Sequence, residues 1–268
     1  MRLFDSHAHI DDQSFDTDRD QMLARARASG VTAVMIAGIT EKTCVGAVAL
    51  AESRPGLFAS VGVHPHDAKS CSEAALSSLI QLAKSPVVRA WGETGLDFDR
   101  MYSPRAVQEK WFVRQLETAA KLKLPLIIHE RATQGRLLEI LSSFPLGAEK
   151  GVVHCFSGTE SELLAYLDLG FYIGVTGICT QKERGAALRQ LLGRIPRDRI
   201  LIETDAPFLT PVPERNRHRR NEPAFVASVF NKVVQVRAEE DPSLFADALW
   251  KNTCRLYDIT EKDFSPAG

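Results

Sequence analysis

No run of about 20 apolar residues occurs anywhere in this 268-residue chain, so no segment reads as a bilayer-spanning helix. The five cysteines (Cys44, Cys71, Cys155, Cys179, Cys254) are scattered and odd in number, with no C-x-x-C spacing. That disfavours both a disulfide framework and a thiolate zinc site. An excess of either charge is also missing: Lys+Arg 33 against Asp+Glu 34 leaves a formal net charge of −1. A nucleic-acid packaging protein would be far more basic, though an enzyme that grips a few phosphates locally remains open. Met1-Arg2-Leu3-Phe4-Asp5 begins no apolar leader, and the expected address is the cytosol. Neither a membrane nor an obligate protein partner is expected.

What is present fits an ordinary soluble globular protein with a sizeable core, with 44% apolar and 25% charged residues. The length is near the roughly 250 residues of a TIM barrel. One domain over residues 1–268 is therefore expected, with its core at about 1–259 and a short C-terminal tail. Short apolar runs predict strands at Leu3–His9, Thr32–Ala37, Phe58–Val63, Val87–Gly92, Leu126–His129, Gly151–His154, Phe171–Val175 and Arg199–Thr204. Between and after them, helices are predicted at Arg19–Ser29, Ser72–Lys84, Arg105–Lys123, Ala132–Ser143, Ser161–Leu169, Arg184–Leu192, Pro223–Arg237 and Leu244–Leu256. Asp18 is the expected N-cap of the first helix and Gly30 its stop. Strands alternating with helices call for a parallel sheet, and eight such units close into a (β/α)8 barrel. An open doubly wound sheet is the competitor, but no Gly-rich phosphate loop follows the first strand.

Six of the seven histidines fall at or just beyond the end of a predicted strand, and in a barrel those ends converge on one face. His7 and His9 are two apart on a strand, so both imidazoles can point one way and chelate one ion. Glu93 follows strand four; its two carboxylate oxygens can bridge two cations about 3.5–4 Å apart. His129 and His154 end strands five and six and, with Glu93, are candidates for a second ion. Asp205, after strand eight, completes the first ion's shell or sits beside its water. Asp5 and Glu203 are candidates to orient the histidines from behind. Four His, one Glu and one Asp suit Zn, Mn, Mg or another divalent ion without choosing among them. Taken singly, each of these residues has an ordinary structural explanation; their shared rim is what favours metal.

Around this set, His64 is placed to hydrogen-bond a bound oxyanion, while His66 reads as structural. Arg131 offers a planar fork to a phosphate, with an exposed ion pair as the competing use. The basic run Arg215-Asn216-Arg217-His218-Arg219-Arg220 follows strand eight and is either a solvated surface or a clamp on the phosphate backbone.

These motifs together resemble the TatD-family metal-dependent deoxyribonucleases, a branch of the amidohydrolase-like barrels. The landmarks are Asp5–His9, Gly62–His66, Gly92–Phe98, His129–Arg131, His154–Gly158, Glu203–Leu209, Arg220–Pro223 and Asn252-Thr253, spread over nearly the whole chain. The resemblance implies that His7, His9, Glu93 and Asp205 bind one divalent ion and that Glu93, His129 and His154 bind the other. It also implies a nuclease acting on DNA, often from the 3′ end. Asp205 and Glu93 would then carry catalysis, with His64, Arg131 and Arg220 on the substrate. Many relatives have Asp where this chain has Ala132, whereas the H-x-H pair that some relatives lack is complete here. Two other functions compete: a metal-dependent ester or amide hydrolase (an aminoacyl-tRNA deacylase, for example), and a non-catalytic binding protein stabilised by its metals. Related barrels that attack amides often carry a carboxylated lysine on strand four, and this chain has no lysine there. A merely structural zinc site would be closed by four protein ligands, while six ligands shared by two ions leave positions for water.

Overall fold

The computed structural model describes residues 1–145 and 150–264. Eight strands run parallel in the order in which they occur: β1 Leu3–Ala8, β2 Val31–Ala37, β3 Leu57–Val61, β4 Val88–Asp97, β5 Leu126–Arg131, β6 Gly151–Val153, β7 Tyr172–Val175 and β8 Ile200–Ile202. β8 returns to β1, where the Asp205 N–H donates to the His7 carbonyl (2.9 Å) and the His9 N–H to the Ala206 carbonyl (2.6 Å). The sheet thereby comes round into the expected (β/α)8 barrel.

Alternation along each strand divides its side chains between two apolar layers. Phe4, Met35, Phe58, Ala90, Ile127, Val152, Tyr172 and Leu201 supply one member per strand to a single buried cluster. A cluster touching all eight staves lies inside the barrel. Trp250, Leu256, Tyr257 and Ile259 join it from the end of the chain and form its floor. The neighbouring residues Leu3, Val34, Ile128, Val153, Ile173 and Ile200 face outward into the larger cluster under the helices.

The helices are α1 Arg19–Ala28, α2 Glu41–Glu52, α3 Glu73–Leu82, α4 Arg105–Leu122, α5 Arg136–Ser143, α6 Glu160–Asp168, α7 Ala186–Leu191, α8 Val226–Arg237 and α9 Pro242–Leu256. α2 has no counterpart among the predicted helices. Its sequence, Glu-Lys-Thr-Cys-Val-Gly-Ala-Val-Ala-Leu-Ala-Glu, has small residues on every side and a central Gly46, so its apolar stripe is faint. A reciprocal cap at Thr40 and Thr43 starts it instead. α5 begins four residues later than predicted because Ala132, Gln134 and Gly135 all take positive φ. Asp18 occupies the N-cap position of α1 but makes no capping hydrogen bond; its carboxylate pairs with Arg25 and Arg220. Of the expected tail, Glu261–Phe264 form one tight turn, and residues 265–268 lie outside the described residues. All five cysteines are free, and among the described residues no helix is long and apolar enough to cross a membrane.

Candidate metal centre

Side chains from the C-terminal halves of β1, β4 and β5, and from the turns after β1, β6 and β8, meet at the rim opposite the floor. Glu93 is their hub. It sits within β4, which runs on to Asp97 rather than ending at Gly92 as expected. Gly92, with φ +150°, permits this close course: a Cβ there would come within 2.5 Å of the Ile127 carbonyl oxygen on β5.

The two oxygens of Glu93 divide the histidines between them. Oε2 lies 3.4 Å from His7 Nε2 and 3.8 Å from His9 Nε2. Oε1 lies 2.9 Å from His129 Nδ1, 3.4 Å from His64 Nε2 and 3.9 Å from His154 Nε2. Asp205 Oδ1 is 3.4 Å from His9 Nε2, 3.6 Å from His7 Nε2 and 3.7 Å from His154 Nε2. The His7 and His154 rings, contributed by β1 and by the turn after β6, stack with centroids 3.6 Å apart. All six expected ligand side chains therefore share one pocket. Within it, His7, His9 and Glu93 form one group of donor atoms close enough to hold a cation, and His7, His154 and Asp205 another.

Charge in this pocket is finely balanced. Burial works against ionising Glu93, yet the imidazoles of His64, His7 and His154 hold its carboxyl well below the usual range. Asp205 is likewise opposed by burial and held low by His9 and His154. Burial pulls down on His9, but Asp205 and Glu93 raise it to about 9. His129 is raised in the same way, by Asp97 and Glu93, to about 9. His154 reaches about 10 through Glu203 and Glu93. His7 goes the other way, pushed down by burial and by His154 above it. Protons on three imidazoles thus offset the buried carboxylates, a task divalent cations could also perform. The buried His7 Nδ1 finds no hydrogen-bond partner among the described residues. Such a donor set fits divalent ions.

Behind the hub, Glu203 places Oε1 2.9 Å from His154 Nδ1 and accepts from the Cys155 N–H at 2.6 Å. Its carboxylate fits because Gly174 on β7 has no side chain: a Cβ there would stand 2.6–2.7 Å from all three carboxyl atoms. Asp5, the other expected support, does not reach an imidazole. It accepts from the Thr204 N–H (2.8 Å) and Oγ1–H (2.5 Å), which fixes the chain just before Asp205, and burial pushes its own carboxyl up to about 8. Asp97 takes the place expected of Asp5. Its Oδ2 lies 3.2 Å from His129 Nε2 and 2.7 Å from His66 Nε2, and its Oδ1 accepts from the Asp99 and Arg100 N–H groups. The sequence gives Asp97 one cue, two-residue alternation from Glu93 along a strand that continues past Gly95.

The three expected substrate groups are placed differently from one another. His64 is buried beside Glu93; its Nδ1 accepts from the His66 N–H at 3.1 Å, and burial lowers its pKa to about 4. The ring is therefore neutral at pH 7, with its proton on Nε2. Arg131 is exposed at the rim and pairs with Asp99 at 2.8 Å, the competing use foreseen for it. Arg220 turns away from the pocket, contrary to expectation. It binds Asp18 through both terminal nitrogens (2.8 and 2.7 Å), reaches the Ser14 carbonyl and covers the Phe15 ring at 4.4 Å. The expected phosphate ligand is instead a brace between the loop after β8 and the segment before α1.

Residues 4–258 match the family model described as TatD related DNase. The chain is 40% identical over 267 residues to the 3′-5′ ssDNA/RNA exonuclease TatD of Cronobacter sakazakii, covering 99% of this chain and 100% of that one. It is 37% identical to the protein of the same name from Salmonella typhimurium, over 96% and 99% of the two chains. Among solved structures it resembles YJJV, a TatD homologue from Escherichia coli, with a TM-score of 0.89, 31% identity and coverage of 97% and 99%.

Proposed function

Because this chain belongs to the TatD-related DNase family, we propose that it is a two-metal nuclease that removes nucleotides from the 3′ end of single-stranded DNA or RNA. The observation that carries this reading is the split of Glu93, one oxygen toward His7 and His9 and the other toward His129 and His154. A carboxylate so placed would offer one oxygen to each of two divalent cations. His7, His9 and Asp205 would complete one ion's shell, and His129 and His154 the other's. Bound there, the ions would polarise a phosphoryl oxygen, lower the pKa of a water and offset charge on the attacking and leaving oxygens.

The chain's own groups have separate tasks. Asp205, held as a carboxylate by His9 and His154, is the group able to accept the water's proton at Oδ1. His64 presents Nε2–H toward the same space and would donate to a non-bridging phosphoryl oxygen. Glu203 and Asp97 hold His154 and His129 from behind, keeping the donor atoms aimed inward. Arg131 would need to release Asp99 to reach a phosphate, and its contribution is to binding only.

The test is a metal-titrated assay on end-labelled single- and double-stranded DNA and on RNA. Shortening from the 3′ end of single strands, abolished by chelation and by Glu93→Gln in a folded protein, is the expected result. Full turnover by Glu93→Gln, with metal content verified, would refute the bridging assignment. Preferential cleavage of an aminoacyl ester would favour the esterase reading instead.

A further inference from the structure

The loop after β8 does more than carry Asp205. The next turn, Ala206–Leu209, is fastened by the Asn221 amide, which donates to the Thr204 and Phe208 carbonyls (2.9 and 2.6 Å). Phe208 is left 55% exposed at the lip of the pocket, its ring edge-on to His9 with centroids 6.0 Å apart. An exposed aromatic ring on a backbone fastened beside a candidate metal centre has no core to fill and is free to meet a ligand.

Beside it opens a cavity of about 480 Å³ whose lining includes Arg184, Arg215, His218 and Arg219. Arg25, Arg131 and Arg220 elsewhere on the molecule are each paired with a carboxylate. Arg184, Arg215 and Arg219 have no ion-pair partner among the described residues. The acid of this loop, Glu214, is turned instead to Ser228 Oγ on α8 at 2.6 Å. Three exposed like charges lining one cavity without a counter-charge make a positive patch that favours an anion. Guanidiniums bind phosphate oxygens through two parallel hydrogen bonds, and aromatic faces take any base by stacking.

We propose that this cavity is a nucleotide subsite: Arg184, Arg215 and Arg219 hold the backbone phosphate adjacent to the one being cleaved, and Phe208 stacks its base. The subsite rests on the nuclease reading above and extends it to how the strand is gripped. It recognises single-stranded nucleic acid by backbone charge and base face, without reading sequence. Arg217 is exposed in the same loop but lies outside the cavity lining and serves as the control.

Two substrates separate the subsite from the chemistry. Thymidine 5′-p-nitrophenyl phosphate has one diester and no neighbouring phosphate; a single strand about ten nucleotides long fills the groove. The Arg215→Ala/Arg219→Ala double variant should raise KM for the strand tenfold or more, with its ratio to the small diester shifted by the same factor. Arg184→Ala should act in the same direction, and Arg217→Ala should change neither. The slope of log affinity against log salt should become shallower by up to about 0.7 for the double variant, the share of one phosphate on a single strand. Phe208→Ala should weaken the strand about 5- to 150-fold and have no further effect on a strand abasic at that position. Equal losses on both substrates, or none on either with active wild-type enzyme, would overturn the subsite. Inactive wild-type protein on both substrates would refute the nuclease reading alone; equilibrium binding of a labelled strand to the same variants then decides the subsite.

Discussion

Gly174→Ala tests how tightly the candidate metal centre depends on the residues behind it. The added methyl would stand 2.6–2.7 Å from the Glu203 carboxyl atoms, 0.7–0.8 Å short of the 3.4 Å at which ordinary contact begins. Glu203 is fully buried and has two duties, toward His154 Nδ1 at 2.9 Å and the Cys155 N–H at 2.6 Å. A displacement of that size cannot preserve both. Losing the carboxylate behind a ligating histidine costs 10- to 100-fold in metal affinity, or about 1.4–2.7 kcal/mol. Competition with a graded series of chelators measures the affinity directly. Activity at saturating metal should return most of the way, because no group that touches substrate has moved far. Glu203→Gln, which keeps the shape and the acceptor for Cys155, should show a similar affinity loss without the steric clash. A folded Gly174→Ala protein that binds metal within twofold of wild type would refute the reasoning.

Three further outcomes follow from the same geometry. His9 and His129, raised to about 9, and His154, raised to about 10, carry protons at pH 7 in metal-free protein, and an incoming ion must displace them. Metal affinity should therefore climb as pH rises from 6.5 toward 10, with protons released to the buffer in calorimetry. The stabilisation that metal-free protein draws from these protonated rings is complete below about pH 6.5 and lost as pH passes 9–10; pH-independent uptake would contradict this. Asp97→Asn removes the carboxylate from behind His129 and should cost 10- to 100-fold in metal affinity, visible also as altered His129 ring-nitrogen resonances, whereas unchanged affinity would leave Asp97 a packing residue. Ala132 sits at φ +54°, a left-handed conformation that Asn tolerates better, so Ala132→Asn should stabilise the protein by about 0.5–1 kcal/mol in denaturant unfolding. A loss of stability would contradict that.

Much of the centre was legible because barrel geometry turns a linear cue into a spatial one. His7, His9, His129, His154 and Asp205 each interrupt or follow an apolar strand, and a closed parallel sheet brings such ends together whatever their separation in sequence. What escaped depended on length or on partner choice. β4 continues through Glu93 to Asp97, so Asp97 and His66 join the network, while the strand's apolar run alone stops at Gly92. Arg131 and Arg220 carry no mark that assigns one to Asp99 and the other to Asp18, because those carboxylates arrive from loops that only the folded barrel makes adjacent. α2 escaped because alanine and valine all round give a helix little sidedness to read.

The inner ring of the barrel is closed below by Trp250, Tyr257 and Ile259, near the end of the chain. During synthesis those residues emerge only after all eight strands. Without them, Phe4, Met35, Phe58 and Tyr172 would line a tube whose lower end stands open to water. The rim that would gather metal can be in place while the opposite end is still wet. Any chain cut short before Trp250 would bear every residue of the reactive face and yet leave a greasy bore exposed, a surface that self-association would cover.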